Sequence, residues 1–165
     1  MQIELKQFDP GKDRINVIGL LTAFWLAHNR YTPTDREVEE DLTSWTGKGH
    51  ILYLIVKDGA GIGFAHLGSR GAEADWLEDL FVLPDYQNRG IGACAVGLLE
   101  DIVKQYSDSF YIEAAARNEG AIRLYHKLGY NGLNTITVRK DFSDENYNVV
   151  RTEQIHDRTF EIRRA

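Results

Sequence analysis

Gln87-Asn88-Arg89-Gly90-Ile91-Gly92 is the stretch on which the reading of the whole chain turns. It lies between a predicted strand, Trp76 to Val82, and a predicted helix, Ala93 to Tyr106. Glycines there let the backbone approach a ligand closely and adopt positive φ. The first-turn N–H groups of the helix have no intrahelical acceptor, and its dipole favours an anion. Arg89 could add charge-assisted hydrogen bonds. A phosphate is the natural ligand; a tight strand-to-helix connection is the competing reading. Ala95 stands where a dinucleotide fingerprint has its third glycine, the next glycine being Gly97, and the Gly-Lys-Ser/Thr ending of a P-loop is missing.

Outward from the loop, the pattern alternates irregularly. Met1 to Phe8 reads as a strand ended by Asp9, Pro10 and Gly11. Lys12 to Asn29 places Ile15, Ile18, Leu21 and Trp25 at helical spacing, with Phe24 widening the stripe. Gly19 and Thr22 weaken that helix. A second, acidic helix opens around Pro33 or Thr34 and runs to about Trp45. Ile51 to Lys57 and Ile62 to Leu67 read as strands joined by the turn Asp58-Gly59-Ala60-Gly61. Val96, Leu99, Ile102, Val103 and Tyr106 share one face of the helix after the loop. Phe110 to Ala116 is a buried type of strand, and Ala121 to Leu128 a short helix ended by Gly129. Strands at Thr135 to Lys140, Val149 to Ile155 and Thr159 to Arg163 follow, the last two turning through His156, Asp157 and Arg158. The order β-α-α-β-β-β-α-β-α-β-β-β is an α/β (α+β) mixed-sheet pattern.

The 165 residues suit one domain spanning 1–165, with neither a repeat nor a linker. The net charge of −6 argues against a nucleic-acid partner and is compatible with a cationic substrate. No apolar run is long enough for a membrane span, and Met1 to Pro10 has no apolar signal core. One cysteine, Cys94, permits no internal disulfide, so a cytoplasmic protein is expected.

On its linked blocks the chain resembles the GNAT superfamily of N-acetyltransferases. That family's signature, Gln/Arg-x-x-Gly-x-Gly/Ala, is matched by Gln87, Gly90 and Gly92. The lead-in Leu77-Glu78-Asp79-Leu80-Phe81-Val82, followed by Leu83-Pro84-Asp85-Tyr86, is similar as well. So is the block Asn118-Glu119-Gly120-Ala121-Ile122-Arg123-Leu124-Tyr125-His126-Lys127-Leu128-Gly129-Tyr130. The likeness covers Trp76 to Tyr130; the part up to about His50 and the tail match only in element order.

The resemblance implies a GNAT fold, a central mixed β-sheet flanked by helices, with acetyl-CoA as donor and no metal. It implies that the backbone of Gln87, Asn88, Arg89, Gly90, Ile91, Gly92 and Ala93 cradles the pyrophosphate. Pantetheine would pair like a strand with the backbone of Leu80, Phe81 and Val82, and a backbone N–H near Leu80 would stabilise the oxyanion. Asn118 falls where the family contacts the pantetheine arm. Tyr125 falls on the general acid, and a phenol is protonated at neutral pH and able to donate. The structural alternative for Tyr125 is a place beside Ile122 and Leu128 on an apolar helix face. Glu78 matches the proposed base in the similar Leu-Glu-Asp-Phe-Phe-Val run of diamine acetyltransferases; the alternative is a solvated or salt-bridged carboxylate. Asp79 should alternate to the other face.

Other signals are weaker. His28, His50, His66, His126 and His156 lack metal-ligand spacing and read as surface or core histidines. Cys94 reads as a small packing residue. Asp35, Glu37, Glu39, Glu40 and Asp41 read as a solvated helix face or as a field steering a cation inward. Trp25, Tyr31, Trp45 and Trp76 are candidates to line an acceptor groove, Trp25 equally a core residue.

The expected activity is acetyl transfer to a primary amine by direct attack, with a small-molecule amine (polyamine, amino acid or antibiotic) as partner. The alternatives are a protein N-terminus or lysine, a non-catalytic acyl-CoA-binding module, and a binder of another phosphorylated ligand. A homodimer is expected if the tail hairpin exposes Phe160 and Ile162.

Overall fold

The computed structural model describes residues 2–142 and 148–164. Met1, at the head of the predicted first strand, lies outside them. Two compact units, Met1–Glu113 and Ala114–Ala165, are described in turn.

The first unit is built on a five-stranded mixed sheet in the order β1-β2-β3-β4-β5. The strands are β1 (Glu4–Gln7), β2 (His50–Lys57), β3 (Ala60–Gly68), β4 (Trp76–Val82) and β5 (Tyr111–Ile112). All pair antiparallel except β4 with β5, which are parallel. Helices α1 (Arg14–Asn29), α2 (Asp35–Trp45) and α3 (Ile91–Val103) complete it. Strand alternation sorts the core onto two faces. Val17, Leu21 and Phe24 of α1 and Val38 and Leu42 of α2 pack with Leu52, Leu54, Phe64 and Phe81. Ile91 and Ala95 of α3 pack with Ile3, Ile55, Ile62 and Val82 on the opposite side.

Local chemistry accounts for the element ends. Thr34 caps α2 and forms a reciprocal capping box with Glu37. The β2–β3 connection is shorter than predicted. Asp58 and Gly59 alone turn the chain, at φ 51° and 80°, and Ala60 and Gly61 already belong to β3.

Further sequence expectations change in this unit: the helix expected over Ala93 to Tyr106 starts two residues earlier and ends three earlier, at Ile91–Val103. The buried stripe of α1 is Val17, Leu20, Leu21 and Phe24, whereas Ile15 is 88% exposed. The helix is apolar on several sides, so spacing alone did not select its face. Gly19 does not break it, and Thr22 bonds back to the Ile18 carbonyl at 2.9 Å. The strand expected over Phe110 to Ala116 contracts to Tyr111–Ile112, pairing only with Trp76 and Leu77. The alanines that follow favour a strand weakly.

The second unit holds α4 (Glu119–Lys127) and a hairpin of β6 (Asn148–Ile155) and β7 (Arg158–Arg164). His156 and Asp157, at φ 48° and 60°, make its turn. The hairpin forms a sheet of its own, with Phe160 and Ile162 half-buried. The exposure on which a dimer contact was expected is therefore not found. Thr135 to Lys140 is not a strand; Ile136 and Val138 alternate correctly, but no neighbouring strand pairs with them among the described residues. Gly129, at φ 100°, follows α4 as expected of a helix stop.

Candidate active site

β4 carries the first group of predicted site residues, and its local geometry is irregular. His66 of β3 pairs with Asp79, but the next residue, Leu67, pairs with Leu77. Glu78 is thus the extra residue of a β-bulge, a device that re-aims side chains. Asp79 Oδ2 lies 3.0 Å from His66 Nδ1. The Glu78 carboxylate lies over Gly68, two residues further along β3 and hence on the same face. Asp79 therefore does not alternate away from Glu78 as simple strand periodicity predicts.

Glu78 is salt-bridged on one oxygen, Oε2, to Arg70 at 2.9 Å, and its side chain is 18% exposed. The other oxygen, Oε1, is buried with no hydrogen-bond partner among the described residues. A buried unpaired carboxylate oxygen is costly, and a donor from a bound cation would relieve it. Arg70 also bonds Glu113 at 3.1 Å and lies over the Trp76 ring at 4.8 Å. Trp76 in turn stacks on Tyr111.

Beyond Leu77 the β5 side of β4 has no strand partner among the described residues, so the sheet opens beside Leu80, Phe81 and Val82. Their side chains are occupied in packing: Phe81 joins the α1–α2 core, Leu80 and Val82 the α3 core. What this edge offers a ligand is backbone, as pairing with an amide-containing arm requires.

The loop after β4 is tied back to it by Gln87, whose Nε2 donates to the Val82 carbonyl at 2.7 Å. Asn88 at φ 59° and Gly90 at φ 78° both take the left-handed conformation. Gly90 caps α3 without any side-chain hydrogen bond. The first helical bond runs from Cys94 N–H to the Gly90 carbonyl, so the N–H groups of Ile91, Gly92 and Ala93 lie ahead of the ladder. Arg89 is exposed. Ile91, 2% exposed, anchors the helix in the core and can serve a ligand only through its backbone. The donor set suits a pyrophosphate. Cys94 packs partly buried against the same core, in keeping with a small packing residue.

In the second unit, Asn118 caps α4, its Oδ1 accepting from Ala121 N–H at 3.1 Å. Tyr125 is half-buried on α4, its ring edge-on to Tyr130 at 6.1 Å, while Ile122 is 40% exposed.

The remaining sequence candidates are largely engaged elsewhere. Glu37 bonds Tyr31 and Thr34, Glu39 pairs with Arg14, Glu40 with Arg36, and Asp41 accepts from Trp25 Nε1. Of this acidic run, Glu39 and Glu40 are ion-paired, whereas Glu37 and Asp41 bond neutral groups and keep their charge. Trp25 packs against the core, and Trp45 stacks on His66. Sequence reading missed the His50–His66 contact, 2.9 Å between Nδ1 and Nε2. His50 and His66 are diagonal neighbours across antiparallel strands, a relation that spacing along the chain does not reveal. No group of three or more His, Cys, Asp or Glu able to hold a metal occurs among the described residues. Nor is any helix among them long and apolar enough to cross a membrane.

A splayed mixed sheet with a glycine loop at the head of the following helix is the layout of an acyl-CoA-dependent acyltransferase. The family model described as acetyltransferase (GNAT) family matches residues 18–130. A [ribosomal protein bS18]-alanine N-acetyltransferase of Escherichia coli (strain K12) is 30% identical over 105 residues, 63% of this chain and 68% of the relative. Solved structures share the fold. One is AAC(6')-Iy with the bisubstrate analogue CoA-S-monomethyl-acetylneamine: TM-score 0.63, 18% identity, covering 86% of this chain and 99% of the other. Another is a ribosomal-protein-alanine N-acetyltransferase from Brucella melitensis biovar Abortus 2308: TM-score 0.66, 17% identity, covering 86% of this chain and 100% of the other. The chain belongs to the GNAT acetyltransferase family. It is accordingly an N-acetyltransferase that uses acetyl-CoA as donor.

Proposed function

We propose that this enzyme acetylates the primary amine of a small cationic molecule by direct attack on acetyl-CoA, as a cytoplasmic enzyme. The observation that carries the reading is Glu78: a carboxylate aimed by a bulge, with a buried oxygen that has no donor among the described residues, at the strand where the sheet opens. In this reading Glu78 takes the proton of the acceptor ammonium, directly or through water. The amine nitrogen then bonds to the thioester carbon, a backbone N–H near Leu80 holds the oxyanion, the nitrogen gives up its second proton to water, and the C–S bond breaks. Tyr125 protonates the departing thiolate. The backbone of Gln87 to Ala93 holds the pyrophosphate, that of Leu80, Phe81 and Val82 the pantetheine arm, and Asn118 contacts the same arm. The two units would serve one acetyltransferase domain, since the family match at residues 18–130 runs across both.

A second acceptor, an N-terminal alanine of a protein, is favoured by the relative at 30% identity, a ribosomal-protein-alanine acetyltransferase. Thiol release from acetyl-CoA, followed with polyamines, amino acids, aminoglycosides and an alanine-terminated peptide, tests both. Release driven by a small amine supports the first reading. Release driven by the peptide alone replaces it with the second.

A further inference from the structure

Across the sheet runs a chain of titratable groups that the transfer chemistry leaves unused. Asp79 Oδ2 lies 3.0 Å from His66 Nδ1, and His66 Nε2 lies 2.9 Å from His50 Nδ1. The three groups stand on neighbouring strands, β4, β3 and β2. His66 is 3% exposed and is covered by Trp45 of α2, with ring centroids 4.6 Å apart and planes 9° apart. Trp45 brings no charge. At one end of the chain, His50 lines a cleft of about 260 Å³ with Arg14, Leu42, Thr43 and Thr46. Arg14 is ion-paired to Glu39. At the other end, Asp79 follows Glu78 in the bulge and shares its face; Arg70, paired to Glu78 and Glu113, is the cation there.

These contacts define a path for one proton. With the carboxylate ionised, the tautomers that satisfy both contacts have His66 Nδ1–H donating to Asp79 and His50 Nδ1–H donating to His66 Nε2. His50 Nε2 is then the ring nitrogen left to accept a proton from the cleft. A proton bound there lets the Nδ1 proton of His50 pass to His66 Nε2. His66 becomes an imidazolium held between Asp79 and the His50 Nδ1 lone pair. One proton enters, one shifts, and neither hydrogen bond is lost. Charge taken up at β2 thus arrives on β3, against Asp79 of the bulge.

We propose that Asp79, His66 and His50 act as one proton-binding unit, with His66 as a positioning residue, that sets the charge beside Glu78. When the unit is proton-free, the Asp79 carboxylate makes the potential at Glu78 more negative and strengthens its hold on a cationic acceptor. When the unit holds its extra proton, that charge is cancelled. The consequence for the acceptor rests on the reading of Glu78 given above; the unit itself does not.

The test is a pH titration by nuclear magnetic resonance on the full-length protein, with nitrogen-15 histidine and carbon-13 glutamate and no substrate. The expected result is one shared midpoint for His50 and His66, as for coupled sites, and a step in the Glu78 carboxyl signal at that pH. In His66→Gln, which cannot take up the proton, that step disappears and His50 titrates at a different midpoint. Should His66→Gln fail to fold, His50→Gln serves: the midpoint of His66 must then move from its wild-type value. Separate histidine midpoints in the wild type, or a Glu78 profile unchanged by His66→Gln, overturn the unit. So does a His66 midpoint unmoved by His50→Gln. With an amine that drives thiol release, the ratio of kcat/KM below the midpoint to its plateau should rise roughly threefold to tenfold in His66→Gln. A merely structural role would lower both values together. If no amine drives release, the acceptor reading fails while the titration still decides the unit.

Discussion

Glu78 lies so close over Gly68 that a Cβ built on that glycine would stand 2.5 Å from Glu78 Oε1 and 2.9 Å from its Cγ. The missing side chain on β3 is what lets the bulged carboxylate fold down onto the sheet. An alanine at 68 must push Glu78 away from its buried position, and the side chain is long enough to move without unfolding the strand. We therefore expect Gly68→Ala to lower kcat/KM for the acceptor by roughly an order of magnitude, as loss of a positioned base does. The KM for acetyl-CoA should stay near its wild-type value. Wild-type kinetics in this variant would remove Glu78 from the reaction.

Gly90 offers a separate test on the donor side. At φ 78° it caps α3, where an L side chain is strained by about 1–2 kcal/mol. A Cβ there also stands at the backbone surface on which a pyrophosphate would lie. Gly90→Ala is expected to lower the thermal midpoint modestly and to weaken acetyl-CoA binding in calorimetry by more than the stability change explains. Unchanged binding would separate the loop from the donor.

How much of this was legible in the sequence depends on what each feature rests on. β4 was read at its observed limits, Trp76 to Val82, because its apolar residues, interrupted only by Glu78 and Asp79, are bounded by Asp75 before and Pro84 after. The Thr34 start of α2 follows from capping chemistry that spans only four residues, Thr34 to Glu37. The bulge at Glu78 was not legible, because it depends on how β3 and β4 register and not on either strand alone. The pairing of His50 with His66 was hidden for the same reason. Thr135 to Lys140 failed in the opposite direction: alternation was present, but a strand also needs a neighbour, and sequence supplies no such guarantee. Glu78 was legible as a candidate through the resemblance, while its Arg70 partner, eight residues earlier on the loop after β3, was not.

Acid should weaken the first unit through Asp13. Its carboxylate accepts from Lys6 Nζ at 2.6 Å and from Asp9 N–H at 3.0 Å. The Lys6 hydrogen bond first, and the Asp9 backbone bond next, hold its pKa below the ordinary aspartate value. A carboxylate depressed in the folded state contributes stability that is present above its unfolded pKa near ~4 and lost as pH falls through the folded value. Asp9, through the Gly11 backbone bond, and Glu37, through the Thr34 backbone bond, are shifted the same way. The urea midpoint should therefore be level from neutral pH to about 5 and decline below about 4. Asp13→Asn should lower the neutral plateau and make the decline shallower without abolishing it. A decline as steep as in the wild type would assign the acid sensitivity to other groups.

Tyr125 carries the last test, because the two readings of it predict different kinetics. Its ring is half-buried and packs edge-on against Tyr130, so Tyr125→Phe keeps the packing and removes only the hydroxyl. If the hydroxyl protonates the CoA thiolate, kcat should fall roughly tenfold to a thousandfold with little change in either KM. The loss should shrink for acetyl thioesters whose thiol is more acidic, since a better leaving group needs less help. If the tyrosine serves only packing, the variant should keep its kcat and the leaving-group dependence should match the wild type. Measuring thiol release across a short series of acetyl thioesters in both proteins separates these outcomes. A uniform loss across the series would point instead to a tyrosine that orients the sulfur without giving it a proton.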